Sequence, residues 1–185
     1  VDWVTTIKAF ANMFFGDSTV GGSSITQQLI KNKTGEDSVT VQRKVLEFFR
    51  ATYVEKRYNK KVIITEYLNW IYLGQNCSGV KSAAEAYFGK ELQMLTIAEC
   101  ASLISITNNP SLFDPYSENE FMYAGELMNG QQRNRYRQKL VLKEMLNQGW
   151  ITQEEFDEAA AQELVFKRGI DFEDTMAHCP NEVCG

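Results

Sequence analysis

Histidine and proline are scarce in this chain, and both absences limit what it can be. Its 185 residues include one histidine, His178, and four cysteines, of which Cys179 and Cys184 lie close to that histidine. With no second histidine and no matching cysteine pair, a metal site there is disfavoured, while a local disulfide stays open. None of the three prolines precedes position 110, so no proline interrupts the helices predicted before it.

Long apolar runs and a strong net charge are missing as well. The longest nearly apolar run, residues 97–106, is about half of the ~20 residues that a membrane-spanning helix needs. The net charge of −5 argues against general nucleic-acid binding, but it is unevenly distributed. Residues 1–93 carry 12 Lys and Arg against 9 Asp and Glu, whereas residues 94–185 carry 7 against 15. An anionic ligand is therefore expected in the first half.

The chain is rich in helical periodicity. Apolar residues make up 44% of it, enough for a folded core, and they recur at spacings of three and four. No alternating run is long enough to predict a β-hairpin, and residues 111–130 show no clear period. We therefore predict an all-α fold of about eight helices, with apolar stripes over residues 4–14, 25–30, 41–52, 62–71, 80–88, 97–106, 135–146 and 153–164.

The same spacing predicts which side chains face the core. Glu99 interrupts an apolar helix, so its carboxylate is expected to be half-buried and bonded to neighbouring backbone N–H groups. The other predicted core residues are Val41, Val45, Phe48 or Phe49, and Thr52 on one helix face, Tyr67 and Tyr72 with their hydroxyls bonded, and Cys77 and Cys100 as small apolar side chains.

The stretch from Gly21 to Asn32, GGSSITQQLIKN, is the most unusual part of the sequence. Two glycines let a ligand approach the backbone, and a helix that begins directly after them points free N–H groups at that ligand. Hydroxyl, amide and ammonium donors follow within about two turns. The pattern suits an anionic, hydroxylated ligand such as a sugar phosphate. A capped surface helix with solvated glutamines is the open alternative.

A second block, RKVLE, begins at Arg43. Arg43 and Glu47 are four residues apart and share a helix face, with Lys44 beside them. This pattern is typical of an ordinary ion pair within a helix, worth about 0.3–0.5 kcal/mol. It also fits a carboxylate held among cations at a phosphate or sugar centre.

Taken in order, these two blocks and three later ones resemble glycosyltransferase family 51. That family comprises the peptidoglycan glycosyltransferase (transglycosylase) domain of class A penicillin-binding proteins and the monofunctional transglycosylases. The resemblance covers about residues 1–160, and its motifs occur in the family's order with matching gaps. The matching segments are residues 21–32, 43–47, 66–74, 83–90 and 95–103.

The resemblance implies an all-α, lysozyme-like fold with a large lobe and a smaller, membrane-facing lobe. Residues 1–165 would form the glycosyltransferase domain, and residues 166–185 a linker to a transpeptidase domain. It also implies a place on the outer face of the bacterial cytoplasmic membrane, with an anchor outside these residues. The expected partners are lipid II, the growing glycan chain and the membrane, with no role for nucleic acid.

The activity implied is the polymerisation of lipid II into β-1,4-linked glycan, with inversion at the anomeric carbon and release of undecaprenyl pyrophosphate. In the family, a glutamate in the motif Glu-Asp-x-x-Phe-x-x-His-x-Gly is the general base. That motif would lie roughly ten residues before Val1, by motif counting, so these 185 residues alone are expected to be inactive. Glu47 corresponds to the second catalytic carboxylate, which assists departure of the pyrophosphate.

The resemblance also assigns binding residues for the donor and for phosphoglycolipid inhibitors such as moenomycin. Ser24 stands where the family usually has threonine, and Val39 and Leu46 stand where many members have basic residues. A divalent cation, Mg²⁺ or Mn²⁺, is left open as an aid to the leaving group, and no other cofactor is implied. The implied binding residues are Gly22, Ser23, Ser24, Thr26, Gln27, Gln28, Lys31, Asn32, Arg43 and Lys44.

Two alternatives from other classes remain open at the sequence level. A lytic, lysozyme-like glycosidase would share the helical fold and an essential glutamate, although the blocks at 21–32 and 43–47 argue against it. A non-catalytic helical scaffold is the other. Assaying polymerisation of lipid II against cleavage of finished glycan separates them.

Overall fold

The computed structural model describes residues 23–36 and 40–167. Within these residues the chain is mostly helical, which confirms the predicted all-α class, and a small two-stranded sheet accompanies the helices. The predicted helix at 4–14 and the cysteines at 179 and 184 lie outside the described residues. The α-helices of the described part are α1 Ile25–Thr34, α2 Val41–Arg57, α3 Lys60–Trp70, α4 Val80–Phe88, α5 Ile97–Ile106, α6 Pro110–Phe113, α7 Gly130–Asn147 and α8 Gln153–Ala161.

The chain divides into two compact units, Val1–Tyr67 and Leu68–Gly185. In the described part of the first unit, α1 packs against α2. Ser24 caps α1 in a capping box with Gln27, and Gly35 ends that helix in the left-handed conformation with φ of 63°. Both ends of α1 are therefore set by local side-chain and backbone chemistry.

The buried face of α2 is not the predicted one. Thr40 caps the helix by accepting a hydrogen bond from the Arg43 N–H. Glu47 and Ala51 are buried, whereas Phe48 and Phe49 are exposed, Phe49 to 64%. Apolar residues occur on more than one side of this helix, so spacing alone could not choose the face. The ion pairs of Glu47 allow a carboxylate to occupy the buried side.

The second unit has a core built around α5 and α7, which pack on each other, with α4, α6 and α8 beside them. Glu99 is more deeply buried than the predicted half: it accepts a hydrogen bond from the Thr96 N–H, as expected, and also pairs with Lys90 at 2.6 Å. Sequence spacing did not predict the polar contacts inside this core. Ser102 donates to Asn134 at 2.7 Å, for example, and both side chains are fully buried.

Two predicted core residues, Tyr72 in the loop between α3 and α4 and Cys100 on α5, are exposed. Tyr72 pairs with Ser78 through a backbone bridge and is 51% exposed, so it does not face the core. Cys77 is buried as expected, but within this loop, whereas Cys100 on α5 is exposed. Gly79 closes the loop with φ of 83°, at a point where a Cβ would lie 2.5 Å from the backbone oxygen of Asn69.

A β-hairpin lies where no strand was predicted. Strands β1, Phe121–Tyr123, and β2, Glu126–Met128, pair antiparallel around a turn at Ala124 and Gly125, whose φ angles are 53° and 90°. The strands are three residues long and the turn lacks the usual Asn-Gly, so the local signal is weak. Contacts with α7 hold the hairpin: the fully buried Arg133 donates to the carbonyl oxygens of Met128, in β2, and Asn119, just before β1.

Two helix boundaries in the second unit depart from prediction by three to five residues. Asn129 forms a capping box with Gln132, so α7 begins at Gly130, five residues before the predicted start. Helix α6 was not predicted, and α8 ends at Ala161 rather than near Leu164. None of the helices in the described ranges is long and apolar enough to cross a membrane.

Candidate functional site

The start of α1 presents some of the predicted binding residues and buries others. The Ser24 N–H donates to Oε1 of Gln27 at 2.8 Å, and the Gln27 side chain is buried. Thr26 is buried too, whereas Gln28, Lys31 and Asn32 are exposed. The two inward side chains therefore support the helix end, and the exposed ones can meet a ligand. Gly22 lies outside the described residues.

Glu47 forms the charged centre of the first unit. Its side chain is only 4% exposed, and its two oxygens bind separate cations: Nη1 of Arg43 at 2.6 Å and Nζ of Lys44 at 2.9 Å. Arg43 is largely covered, and Lys44 is one-third exposed. A buried carboxylate needs such partners, because an unpaired one would carry a large desolvation penalty. This cluster of one anion and two cations keeps a net positive charge.

The two predicted blocks lie together in space. Lys44, on α2, donates from Nζ to Oγ of Ser23 at 3.1 Å, and Ser23 stands directly before the capped end of α1. The backbone N–H groups at that helix start add a positive dipole end to the two cations. An anionic group that is bound here would meet amide, hydroxyl, ammonium and guanidinium donors at once.

The sequence did not predict one further contact at the start of α1. Tyr67, predicted to face the core, is partly buried, and its hydroxyl donates to Oε1 of Gln28 at 3.1 Å. Gln28 also donates from Nε2 to the Ser23 carbonyl oxygen at 3.3 Å. Tyr67 and Gln28 are 39 residues apart, so no spacing pattern within a helix could have indicated the contact.

The cluster suits phosphate better than a metal ion. Both oxygens of Glu47 accept hydrogen bonds from cations, and Glu47 is the one carboxylate among the side chains of this cluster that the structure describes. No group of three or more His, Cys, Asp or Glu side chains forms a metal-binding set in the described ranges. These residues therefore do not fit a Mg²⁺ or Mn²⁺ site, which prefers several oxygen ligands.

An apolar groove of about 720 Å³ lies in the same unit. It is lined by side chains of α1, α2 and α3 and by Tyr58, between α2 and α3. Several of its side chains are unusually exposed for their size, including Phe49 at 64% and Tyr53 at 61%. Exposed apolar surface of this kind marks a contact with an apolar ligand, a membrane or another protein. The charged cluster and the groove thus share helices α1 and α2.

Comparison with known proteins gives consistent matches. The transglycosylase family profile matches residues 1–146. Penicillin-binding protein 1A of Aquifex aeolicus is 37% identical over 169 residues, covering 91% of this chain and 22% of that protein. Penicillin-binding protein 1A of Vibrio cholerae is 38% identical over 162 residues, covering 88% and 18%. The chain thus spans about a fifth of the length of these relatives.

A solved structure is also similar. The crystal structure of penicillin-binding protein 1A from Haemophilus influenzae has a TM-score of 0.46 and 27% sequence identity, over 79% of this chain and 17% of that one. The family profile covers most of the chain, and two relatives above 35% identity cover nearly all of it. The chain belongs to the transglycosylase family, glycosyltransferase family 51.

Proposed function

We propose that this chain is a peptidoglycan glycosyltransferase module that polymerises lipid II into β-1,4-linked glycan. The carrying observation is the Glu47 cluster: a buried carboxylate held by Arg43 and Lys44 beside the start of α1. Membership of the transglycosylase family supports the same reaction. The proposed domain is residues 1–165, with residues 166–185 as a linker toward a transpeptidase domain.

The proposed step is a displacement at a sugar carbon. The 4-hydroxyl oxygen of the acceptor forms a bond to the anomeric carbon of the donor, and the bond from that carbon to the pyrophosphate oxygen breaks. The hydroxyl proton goes to a general base, which in the family is a glutamate. The leaving group is undecaprenyl pyrophosphate, which gains negative charge as the bond breaks. Attack from the opposite face inverts the anomeric centre.

The basic residues would stabilise that leaving group. Lys31, Arg43 and Lys44 supply charged donors, and the start of α1 supplies backbone N–H groups and a dipole. These groups act most strongly where charge develops, which lowers the barrier rather than merely tightening binding. Glu47 would hold both cations in place through their ion pairs and keep them facing the pyrophosphate.

The apolar groove supports a position at the membrane surface. The donor and acceptor both carry a long polyprenyl chain, which must remain in or near lipid while the sugars react. Exposed apolar side chains of the groove, including Phe49 and Tyr53 on the same helix as Glu47, provide a surface for that chain or the bilayer. We propose that this unit meets the outer face of the cytoplasmic membrane, with lipid II as its substrate.

The test is a polymerisation assay with the full-length product of the gene. Labelled lipid II is incubated with the protein, and glycan length and released undecaprenyl pyrophosphate are measured together. Long glycan that appears with one undecaprenyl pyrophosphate released per glycosidic bond supports the proposal. Cleavage of added finished glycan without polymerisation would instead support the lytic alternative. If the protein carries out neither reaction, the non-catalytic helical scaffold is the better interpretation.

A further inference from the structure

A tyrosine on α3 reaches the start of α1, where the proposed binding residues lie. The Tyr67 hydroxyl donates to Oε1 of Gln28 at 3.1 Å, and Nε2 of Gln28 donates to the Ser23 carbonyl oxygen at 3.3 Å. A carbonyl oxygen can only accept, so Nε2 must face Ser23 and Oε1 must face Tyr67. The two contacts together hold the Gln28 amide in one orientation.

The same contacts connect Tyr67 to the charged cluster. Ser23 accepts from Gln28 at its carbonyl oxygen and from Nζ of Lys44 at its hydroxyl oxygen. Lys44 also donates to Glu47. Two sets of hydrogen bonds therefore meet at Ser23: one runs from Tyr67 through Gln28 to its carbonyl oxygen, and the other joins its hydroxyl oxygen to Lys44 and Glu47. The covalent frame of Ser23 joins the two sets, so the position of this residue links the Gln28 amide to the buried carboxylate on α2.

The Tyr67 phenol is well suited to donate a hydrogen bond to Gln28. Burial raises the pKa of Tyr67 above its ordinary value, so the hydroxyl keeps its proton at neutral pH. Gln28 is exposed, and one of its two Nε2 hydrogens points at Ser23. The other hydrogen remains to donate to a ligand. Without the Tyr67 hydroxyl, the amide would lose the contact that holds its oxygen end.

We infer that Tyr67 is a positioning residue for the sugar-pyrophosphate site, where its hydroxyl orients the Gln28 amide so that one N–H faces the donor substrate. The inference rests on the proposed function, because that function supplies the ligand. Tyr67 acts through Gln28 and does not itself touch the reacting atoms. Removing the hydroxyl should therefore matter only while Gln28 is present.

The first test is a double-mutant cycle on lipid II polymerisation by the full-length gene product, with Tyr67→Phe, Gln28→Ala and the double variant. We expect Tyr67→Phe to lower kcat/KM by about 3- to 10-fold, the size of one lost hydrogen bond. In the Gln28→Ala background it should cause no further loss. Equal losses with and without Gln28 would overturn the inference.

Tyr116→Phe is the matched control. The Tyr116 hydroxyl donates to the carbonyl oxygen of Lys167 at 2.8 Å, with the carbonyl oxygen of Ala86 at 3.3 Å, in the second unit. Losing it should lower the melting temperature and leave kcat/KM unchanged, which is the behaviour of a purely structural tyrosine. If Tyr67→Phe behaves in the same way, its role is structural and the positioning role is wrong.

A second measurement separates this inference from the proposed function. In the NMR spectrum of the 185-residue chain, Tyr67→Phe should shift the Gln28 side-chain amide signals and increase their motion, and Tyr116→Phe should not. If the wild-type protein polymerises no lipid II, the proposed function fails while these signals still report whether Tyr67 holds Gln28. Unchanged Gln28 signals in Tyr67→Phe would overturn the inference whatever the activity.

Discussion

At the scale of single residues, burial distinguishes Glu47 from its neighbours. Glu47 is 4% exposed and bonded to two cations, whereas Glu66 pairs with Lys33 at the surface and Glu55 is exposed. An arginine and a lysine therefore hold the Glu47 carboxylate, one at each oxygen. This contact pattern separates it from Glu55 and Glu66.

The first residue-scale prediction concerns these three glutamates. Glu47→Gln should remove most polymerisation activity, because the amide cannot hold both cations, and the lost ionic hydrogen bonds should lower stability by about 1–3 kcal/mol. Glu55→Gln and Glu66→Gln are the controls and should keep near-normal rates. Initial rates on lipid II and thermal melting of all three variants provide the check. A near-normal rate for Glu47→Gln would exclude a catalytic role.

A second residue-scale prediction concerns the cations. Arg43→Gln, Lys44→Gln and Lys31→Gln should each weaken binding of the phosphoglycolipid moenomycin by about 10-fold or more, since a charge-assisted contact is worth roughly 1.5–3 kcal/mol. Lys33→Gln is the control on the same helix as Lys31, because Lys33 pairs with Glu66 at the surface. Unchanged inhibitor affinity in the first three variants, measured by fluorescence polarisation, would show them to be surface charges.

At the scale of secondary structure, the ends of helices follow local chemistry. Four N-caps, Ser24, Thr40, Thr96 and Thr152, accept a hydrogen bond from a backbone N–H in the first turn. Helices α4 and α5 have the bounds that their apolar stripes predict. Such ends are predictable because the capping residue and its partner are three positions apart in sequence.

The prediction at this scale compares two glycines of the second unit. Gly79→Ala should destabilise the protein by about 2 kcal/mol or more, because its Cβ would meet the Asn69 backbone oxygen at 2.5 Å and its φ is 83°. Gly125→Ala is the control, with φ of 90° and open space around the Cβ, and should cost only about 1 kcal/mol. Equal midpoint shifts in urea denaturation would contradict the steric argument.

At the scale of the whole molecule, the buried apolar side chains are unevenly distributed between the two units. Within the described ranges, three of the twenty buried hydrophobic side chains, Leu29, Ala51 and Ile63, belong to the first unit. The rest belong to the second. Because burial of apolar surface is the main source of stability, the described helices of the first unit should open more readily than those of the second.

Amide hydrogen exchange tests this difference. We expect amides of α5 and α7 to exchange at least about 10-fold more slowly than those of α1 and α2, since a 1.4 kcal/mol difference in opening free energy produces that ratio. Binding of moenomycin should slow exchange in α1 and α2 while leaving α5 and α7 unchanged. Equal or slower exchange in α1 and α2 of the free protein would contradict the prediction.

The sequence by itself determined the helical class, most helix ends and the order of the motifs, because periodicity and capping act over three or four residues. It also placed Arg43, Lys44 and Glu47 on one helix face, where the structure finds them paired. The resemblance to glycosyltransferase family 51 required only ordered motifs, and the comparison confirmed it.

Only the tertiary structure decided which face of α2 is buried, where the hairpin lies and which partner Tyr67 has. The partner of Tyr67 is Gln28, 39 residues away, and the contact of Lys44 with Ser23 spans 21 residues. The hairpin is held by Arg133 on α7. The ion pairs of Glu47 are local, but which side of α2 is covered depends on the helix that packs against it, α1. Spacing within α2 carries no information about that packing, so α2 buries Glu47 and exposes Phe49 against its apolar spacing.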